Sequence, residues 1–406
     1  MHDRLVFARE VTRALMDVGT DALVSRSGGA LPLEPEPYTD PAQLQRLIDG
    51  AAVSPWPADA PPERVRVTPQ EAPSSNCRNS ALALDWPESS SNDALPRSLF
   101  VKQPSPDRAT RLFANLIGFW KIECAVCRNL STQLPIDSPR IFAVDERRSR
   151  FVIVMENLRE RDDTRLFVNR ELLAGLDVEL ARRCVRTLAR LHAGFEGWPA
   201  ERREAALPLA LHPFLSPSLE PIMLAVNRLA IPRCIERSSG VLTEADAALS
   251  RRALAHWHTL QRAWYREPMT LVHGDSHLGN FFESQGELGM LDFQGAHWGR
   301  GTRDVVYLLV NSMDAELLAR HEKSLVESYV EERGRCGAPI EAEEAWDEYR
   351  GFSFQVLMTA VVSLGLGSFT DSDAVMRAML ERSVAAIGRL RFAEWLEERI
   401  ESGAAA

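Results

Sequence analysis

Between Leu271 and Asp304 the chain sets polar groups into apolar runs at fixed spacings. It reads Leu271-Val-His273-Gly-Asp275-Ser-His277-Leu-Gly-Asn280, then Met290-Leu-Asp292-Phe-Gln294, then Gly301-Thr-Arg-Asp304. A short strand at Phe281-Phe282, a turn over Glu283-Ser-Gln-Gly286 and a strand from Glu287 to Asp292 predict a hairpin. That return brings Asn280 and Asp292 together, an amide and a carboxylate oxygen of the kind a hard divalent cation takes.

The separation of Asp275 from Asn280 is the D-x-x-x-x-N spacing at which protein kinases place a catalytic aspartate and a Mg²⁺-binding asparagine. Asp292-Phe293-Gln294 stands where the second metal-binding aspartate of D-F-G would lie. Transfer of a γ-phosphoryl group passes through a loose, highly charged transition state, so catalysis is mostly positioning and charge neutralisation. In that chemistry Asp275 faces the attacking hydroxyl, while Asn280 and Asp292 hold the cation that bridges the phosphates. His273-Gly-Asp275-x-His277-x-x-Asn280 resembles the catalytic loop of the aminoglycoside phosphotransferase, choline kinase and ecdysteroid-kinase-like superfamily of small-molecule kinases. Gln294 after Asp292-Phe293, with Asp304 downstream, resembles the ecdysteroid-kinase-like group. The resemblance implies an α+β, protein-kinase-like two-lobed fold, with an antiparallel sheet lobe first and a larger helical lobe after it. It also implies ATP and Mg²⁺ as cofactors.

Two other readings stand beside this one. His273 and His277 lie four apart, as zinc ligands on one helix face do, but Gly274 and Gly279 argue for a loop and no nearby cysteine completes a ligand set. A catalytically silent pseudokinase that binds nucleotide and serves as a scaffold would keep the same fold, with its N-terminal helix as the partner element.

Composition bounds the class. With 406 residues, 45% hydrophobic and 26% charged, the chain can bury a large core. A formal charge of -10 argues against a nucleic-acid partner, which calls for a basic face. Six cysteines in so long a chain suggest no disulfide framework. Cys124 and Cys127 form a lone C-x-x-C within a helical pattern and read as small core or helix-face residues, the alternative being a zinc or redox pair. No segment reads as a secretory signal or a membrane span, so the expected location is the cytoplasm.

Along the chain, Leu5, Ala8, Val11, Leu15 and Val18 recur at helical spacing and predict an amphipathic helix that docks on the body, the alternative being a partner-binding helix, and Ser25 to Pro37 reads as an irregular linker. Pro41 to Ala51 predicts a short helix capped by Asp40, which completes an N-terminal extension over residues 1–62. A nucleotide-binding lobe follows over residues 63–157. Its first strand pair is Val65–Thr68 with Ala81–Leu84. The connection between them carries Ser74, Ser75 and Asn76 but no glycine, so it is either a phosphate-contacting loop or an ordinary hairpin loop. Leu99-Phe-Val-Lys102 predicts a strand, and the next helix places Leu112, Leu116, Trp120, Glu123 and Cys127 on one stripe. The resemblance implies that Lys102 binds phosphate and pairs with Glu123, the alternative being a surface lysine at a strand end. Ile141–Asp145 and Phe151–Met155 read as a hairpin around Glu146–Ser149. Met155, Glu156, Asn157 and Leu158 are assigned by order alone as the hinge that binds adenine through its backbone.

Residues 158–406 form the helical catalytic and acceptor-binding lobe. His192 reads as a buried structural contact, and Asp304 as a helix cap or a brace for the catalytic loop. A helix is expected over Ala253–Tyr265, a turn over Ser363–Phe369, and fraying after Glu401. The expected acceptor is a small-molecule hydroxyl. Leu207, Leu209, Leu211, Phe214, Leu215, Leu219, Ile222, Met223, Trp257 and Trp264 suit an apolar alcohol, although core packing explains them equally well. Glu341, Glu343, Glu344, Asp347 and Glu348 offer counter-charges for an aminoglycoside, or a solvated face. The apolar alcohol is the preferred reading.

Overall fold

The computed structural model describes residues 2–25, 30–49, 54–57, 60–68, 77–88, 95–367 and 373–404. The chain packs as two compact units. The first holds residues 1–133, 138–165 and 283–286, and the second holds residues 134–137, 166–282 and 287–406.

The first unit is built on a five-stranded antiparallel sheet of β1 (Arg64–Thr68), β2 (Cys77–Asp85), β3 (Ser98–Pro104), β4 (Ile141–Arg147) and β5 (Arg150–Glu156), in the order β1-β2-β3-β5-β4. The expected first pair is present, with Val65 opposite Leu84 and Thr68 opposite Ala81. Strand residues alternate between the faces of a sheet. Accordingly Val152 and Val154 of β5 pack with Leu82, Leu99 and Val101. Phe151 and Ile153 pack on the other side with Trp120 and Cys124. Helix α1 (His2–Val24) and the Asp40-capped α2 (Pro41–Ile48) belong to this unit, and Leu44 and Ile48 of α2 close the first of these cores. A single 3₁₀ turn at Glu36–Thr39 interrupts the expected linker, because Tyr38 buries its ring there.

One helix expected after Ser105-Pro106 is two, α3 (Arg108–Ile117) and α4 (Phe119–Asn129). Gly118 adopts φ 84°, a left-handed conformation that ends a helix and that glycine takes without a Cβ clash. Leu112 and Leu116 therefore sit on a different helix from Trp120 and Glu123, and the single stripe is broken. Cys124 is fully buried as a core residue, and burial pushes its thiol pKa well up. Among the described residues, which include all six cysteines, none is joined in a disulfide.

The second unit is largely helical. It contains α5 (Asn169–Ala174), α6 (Val178–Phe195), α7 (Ala200–Ala206), α8 (Glu220–Arg237), α9 (Glu244–Ala255), α10 (Trp257–Trp264), α11 (Thr302–Ser312), α12 (Ala315–Arg335), α13 (Ala342–Leu366), α14 (Asp373–Arg389) and α15 (Phe392–Ala404). Short strands carry its polar block: β7 (Thr270–Val272) pairs antiparallel with β10 (His297–Gly299), and β8 (Phe281–Ser284) leads through a tight turn to β9 (Glu287–Met290); β6 (Thr164–Leu166) lies where the chain passes from the first unit to the second.

Three boundaries differ from expectation in this unit. The helix over Ala253–Tyr265 breaks at His256 into the end of α9 and α10. Ser363 to Leu366 continue α13 rather than forming a turn, because a bare Gly365 lets α13 approach α8: a Cβ there would lie 2.4 Å from Ala230 O. Residues 368–369 of that expected turn lie outside the described residues. The segment after Glu401 is helical to Ala404. Among the described residues, no helix is long and apolar enough to cross a membrane.

Candidate active site

The polar block is held by one buried carboxylate. Asp304 sits in the first turn of α11 with no solvent exposure. Its Oδ2 accepts from the backbone N–H of His273 at 2.6 Å, and its Oδ1 from that of Gly274 at 3.0 Å. Ser276 Oγ donates to the Asp304 carbonyl at 2.9 Å. Burial alone would raise the Asp304 pKa. A hydrogen bond from His192 and the charge of Arg303 outweigh burial and hold this carboxyl far below the usual range. His192 Nε2 lies 3.2 Å from Asp304 Oδ2, and its Nδ1 lies 2.9 Å from Tyr329 Oη, which accepts from Arg333. His192 is thus the link that fixes the brace as well as a buried packing residue.

Chain reversal at the loop demands glycine. Gly274 has φ 84°, and a Cβ on it would lie 1.9 Å from the carbonyl oxygen of Gly295. The loop and the segment after Asp292 therefore touch backbone to backbone. His273 spans the same gap: Nε2 donates to Leu291 O at 3.0 Å, and Nδ1 accepts from Asp275 N at 3.3 Å. Those two contacts define its neutral tautomer and use both ring nitrogens, so the zinc alternative loses one of its two ligands. His277 Nδ1 accepts from Gly279 N, which caps the turn Leu278–Asn280.

Asp275 is partly buried, with 26% of its side chain exposed. Its Oδ1 accepts from the Tyr307 phenol at 2.9 Å. Among the described residues its Oδ2 carries only long contacts, 3.3 Å from Asn280 Nδ2 and 3.7 Å from His277 Nε2, and so keeps the capacity to accept from a substrate hydroxyl. Burial would raise the Asp275 pKa, but the charge on His277 and the Tyr307 hydrogen bond lead the effects that hold it below the ordinary carboxylate range. Tyr307 is a residue that sequence reasoning missed. It lies three positions after Asp304 on α11, so the brace and the donor share one helix face. A phenol in the apolar run Val305–Val310 was the available signal.

Asn280 Nδ2 donates to the Asp275 carbonyl at 2.7 Å, which leaves its amide oxygen as the end able to ligate a cation. Leu291 N donates to Asn280 O at 3.0 Å, so the residue before Asp292 is stitched to Asn280. Asp292 itself takes φ 63°, ψ 63°, a left-handed conformation that is unusual for a residue with a side chain. The hairpin between them is tighter than expected: β8 runs to Ser284, and Gln285 (φ 52°) and Gly286 (φ 81°) alone form the turn. Among the described residues, no three His, Cys, Asp or Glu gather where they could hold a metal. An all-oxygen pair from Asn280 and Asp292 fits Mg²⁺, which commonly takes one or two protein carboxylates and completes its shell with phosphate and water.

In the first unit, Lys102 on β3 and Glu123 on α4 meet. Nζ lies 2.8 Å from both carboxylate oxygens, and the side chains are 6% and 4% exposed. This is a buried pair, and the surface-lysine alternative is set aside. Met155, Glu156, Asn157 and Leu158 close β5 and enter the following turn. Burial would raise the Glu156 pKa, but Arg161 and Arg140 hold it at about 2, and Asn157 Nδ2 donates to Ser98 Oγ at 2.7 Å. Those two side chains are engaged within the unit, so a ligand contact at this turn would fall to the main chain. Ser74, Ser75 and Asn76 lie outside the described residues.

Most residues proposed for the acceptor are structural. Leu207, Phe214, Leu219, Ile222, Trp257 and Trp264 are buried, and Trp264 stacks on Phe352 while its Nε1 donates to Gly351 O. Leu209 is 47% exposed, and Leu211, Leu215 and Met223 are half-buried. The acidic helix is no plain solvated face either. Glu344 and Glu348 bind Arg266 and Arg300, and Asp347 binds Arg399 and Trp395, while Glu341 and Glu343 are exposed.

An antiparallel-sheet unit with a buried lysine–glutamate pair, together with a helical unit that carries a braced aspartate loop, defines a protein-kinase-like fold. Residues 92–352, well over half of the chain, match the model of the phosphotransferase enzyme family that includes the aminoglycoside phosphotransferases. The chain belongs to that family. Solved structures similar to it include a Ralstonia eutropha chain provisionally named an aminoglycoside phosphotransferase, at 15% identity over 87% of this chain and 96% of that one, TM-score 0.48. Others are an ethanolamine kinase of Plasmodium vivax (11%, 80% and 83%, TM-score 0.46) and a choline kinase of Cryptosporidium parvum (11%, 84% and 90%, TM-score 0.44). No curated protein matches the chain.

Proposed function

We propose that the protein is an ATP-dependent phosphotransferase that phosphorylates a hydroxyl group of a small molecule. The observation that carries this reading is the Asp304-braced loop, in which Asp275 keeps one carboxylate oxygen for a substrate while Tyr307 holds the other. Asp275 Oδ2 orients the acceptor hydroxyl and takes its proton as the oxygen attacks the γ-phosphorus. The bond from that phosphorus to the bridging oxygen then breaks, and ADP leaves. Asn280 and Asp292 would hold Mg²⁺, which when bound neutralises charge on the phosphates. Lys102, kept in place by Glu123, would contact the phosphates, and the backbone of Met155–Leu158 would contact adenine. A role for Ser74, Ser75 and Asn76 at the phosphates remains part of the proposal.

For the acceptor, an alcohol without several positive charges is favoured over an aminoglycoside. Three of the five carboxylates that could have met ammonium groups are already matched by Arg266, Arg300 and Arg399. The test is ATP consumption against parallel panels of apolar alcohols and aminoglycosides, with Asp275→Ala as the blank. Turnover with an alcohol that disappears in Asp275→Ala, and falls by orders of magnitude in Asp292→Asn, is expected. Turnover with aminoglycosides alone would overturn the acceptor assignment, and undiminished turnover in Asp275→Ala would overturn the chemistry.

A further inference from the structure

Helix α1 is turned inside out. Among the described residues, four of the eight large apolar side chains that stand exposed lie on it: Leu5 (64%), Leu15 (53%), Met16 (65%) and Leu23 (66%). Two of its acids face the other way. Glu10 and Asp21 are buried, at 4% and 1% exposed. Asp21 accepts from the backbone N–H of Ser149 at 2.9 Å and also from its hydroxyl, and the Asp21 carbonyl accepts from Arg150. The helix is therefore anchored to the β4–β5 turn by its polar face.

The outward face has a definite pattern. Leu5, Ala8, Thr12, Leu15, Gly19 and Ala22 follow the alternating three- and four-residue spacing of a helix-pairing seam, and all six are exposed. Thr12 turns its hydroxyl back to its own helix, donating to Ala8 O at 2.8 Å, so it presents a methyl group outward. A Cβ built on Gly19 would meet nothing within 4 Å. The flanking seam positions Val11, Met16, Val18 and Leu23 are apolar too, leaving Arg9 as the one charge beside the seam among positions 5–23.

We infer that α1 pairs antiparallel with α1 of a second copy of this chain about a two-fold axis. In that arrangement Leu5 lies opposite Ala22 of the second copy, Ala8 opposite Gly19, and Thr12 opposite Leu15, and the remaining rungs repeat by symmetry. Large residues meet small ones at the outer and central rungs. The Ala8–Gly19 rungs let the backbones approach at the short end of the usual interhelical range, about 8 Å. No acid faces an acid and no base faces a base. A helix of this length is roughly 35 Å long and about 10 Å across. Two such faces bury on the order of 1,000 Å², the size at which a specific interface begins. A two-fold contact of this kind is self-complementary, so it closes at two copies and forms no filament.

The test is sedimentation of the full chain across micromolar concentrations. The wild type should be a dimer. Thr12→Glu or Leu15→Lys alone should weaken it at least tenfold, with helical content and ATP turnover unchanged. Combining the two should restore the dimer, because the introduced acid and base face each other only in the antiparallel register. Should Thr12→Glu fail to fold, Ala22→Glu carries the same arm against Leu5. A wild type that stays monomeric would overturn the inference, as would single variants that remain fully dimeric. A monomer that instead floats with anionic phospholipid vesicles would reassign the face to a lipid surface.

Discussion

The Asp275 carboxylate shows how little freedom the fold leaves the residue proposed to react. Tyr307 donates to one of its oxygens at 2.9 Å, and this bond helps to keep the carboxyl ionised against its burial. Tyr307→Phe removes the donor with almost no change in volume. The Asp275 pKa should then rise towards its ordinary value, and the acid limb of the pH–kcat profile should move upward with it. Turnover at neutral pH should fall roughly tenfold, as one lost donor of about 1.4 kcal/mol implies. The KM for ATP should stay as it was. An unmoved acid limb would show that Tyr307 only fills space. This residue also marks where the sequence stops being legible: Asp275, Asn280 and Asp292 stand out by spacing, whereas a tyrosine among valines and leucines declares itself only once Asp304 is seen on the same helix face.

At the level of elements, the pair that joins β3 to α4 behaves differently from what its sequence suggests. A lysine at a strand end invites the expectation that Lys102→Met would reduce turnover and leave stability alone. Yet the pair is 6% and 4% exposed, so removing the ammonium leaves the Glu123 carboxylate buried without that counter-charge. Losing one partner of such a pair costs about 3–5 kcal/mol. Lys102→Met should therefore lower Tm by several degrees as well as abolish activity. Lys102→Met with Glu123→Gln should recover much of the Tm and none of the activity, since the buried charge is gone but so is the ammonium proposed to meet the phosphates. Thermal melts of the single and double variants decide this, and equal melting of both would refute it. Element boundaries were the less legible part of the fold. Alternating apolar runs disclose β1, β2 and β5, and Asp40 discloses the start of α2. The break between α3 and α4 rests on one left-handed glycine inside an otherwise continuous helical pattern. Gly365 has the opposite outcome: it resembles a turn residue, and it is a helix–helix contact.

Across the whole molecule, four buried histidines share one electrostatic direction. His192, His212, His273 and His297 all have pKa values lowered by burial, His297 to about 4. The unfolded chain takes up protons at these positions near the ordinary histidine value of about 6.5, and the folded chain does so only at lower pH. Between those limits the unfolded state binds more protons, so stability falls as pH falls, by up to about 1.4 kcal/mol per pH unit for each histidine. Tm measured from pH 7.5 down to about pH 5 should decline steadily below roughly pH 6.5, and a flat profile would contradict the buried, neutral state. The sequence showed these histidines as single letters beside apolar neighbours; their number and common burial belong to the three-dimensional packing. The backbone contact between Gly274 and Gly295 reaches furthest in practice. Since a methyl group on Gly274 would collide with Gly295, and one on Gly295 would crowd the Gly274 backbone at 3.0 Å, a mutagenesis library aimed at new acceptors should leave both codons untouched. Diversity is better directed at exposed positions such as Leu209, Glu341 and Glu343, where a changed side chain meets solvent before it meets the loop.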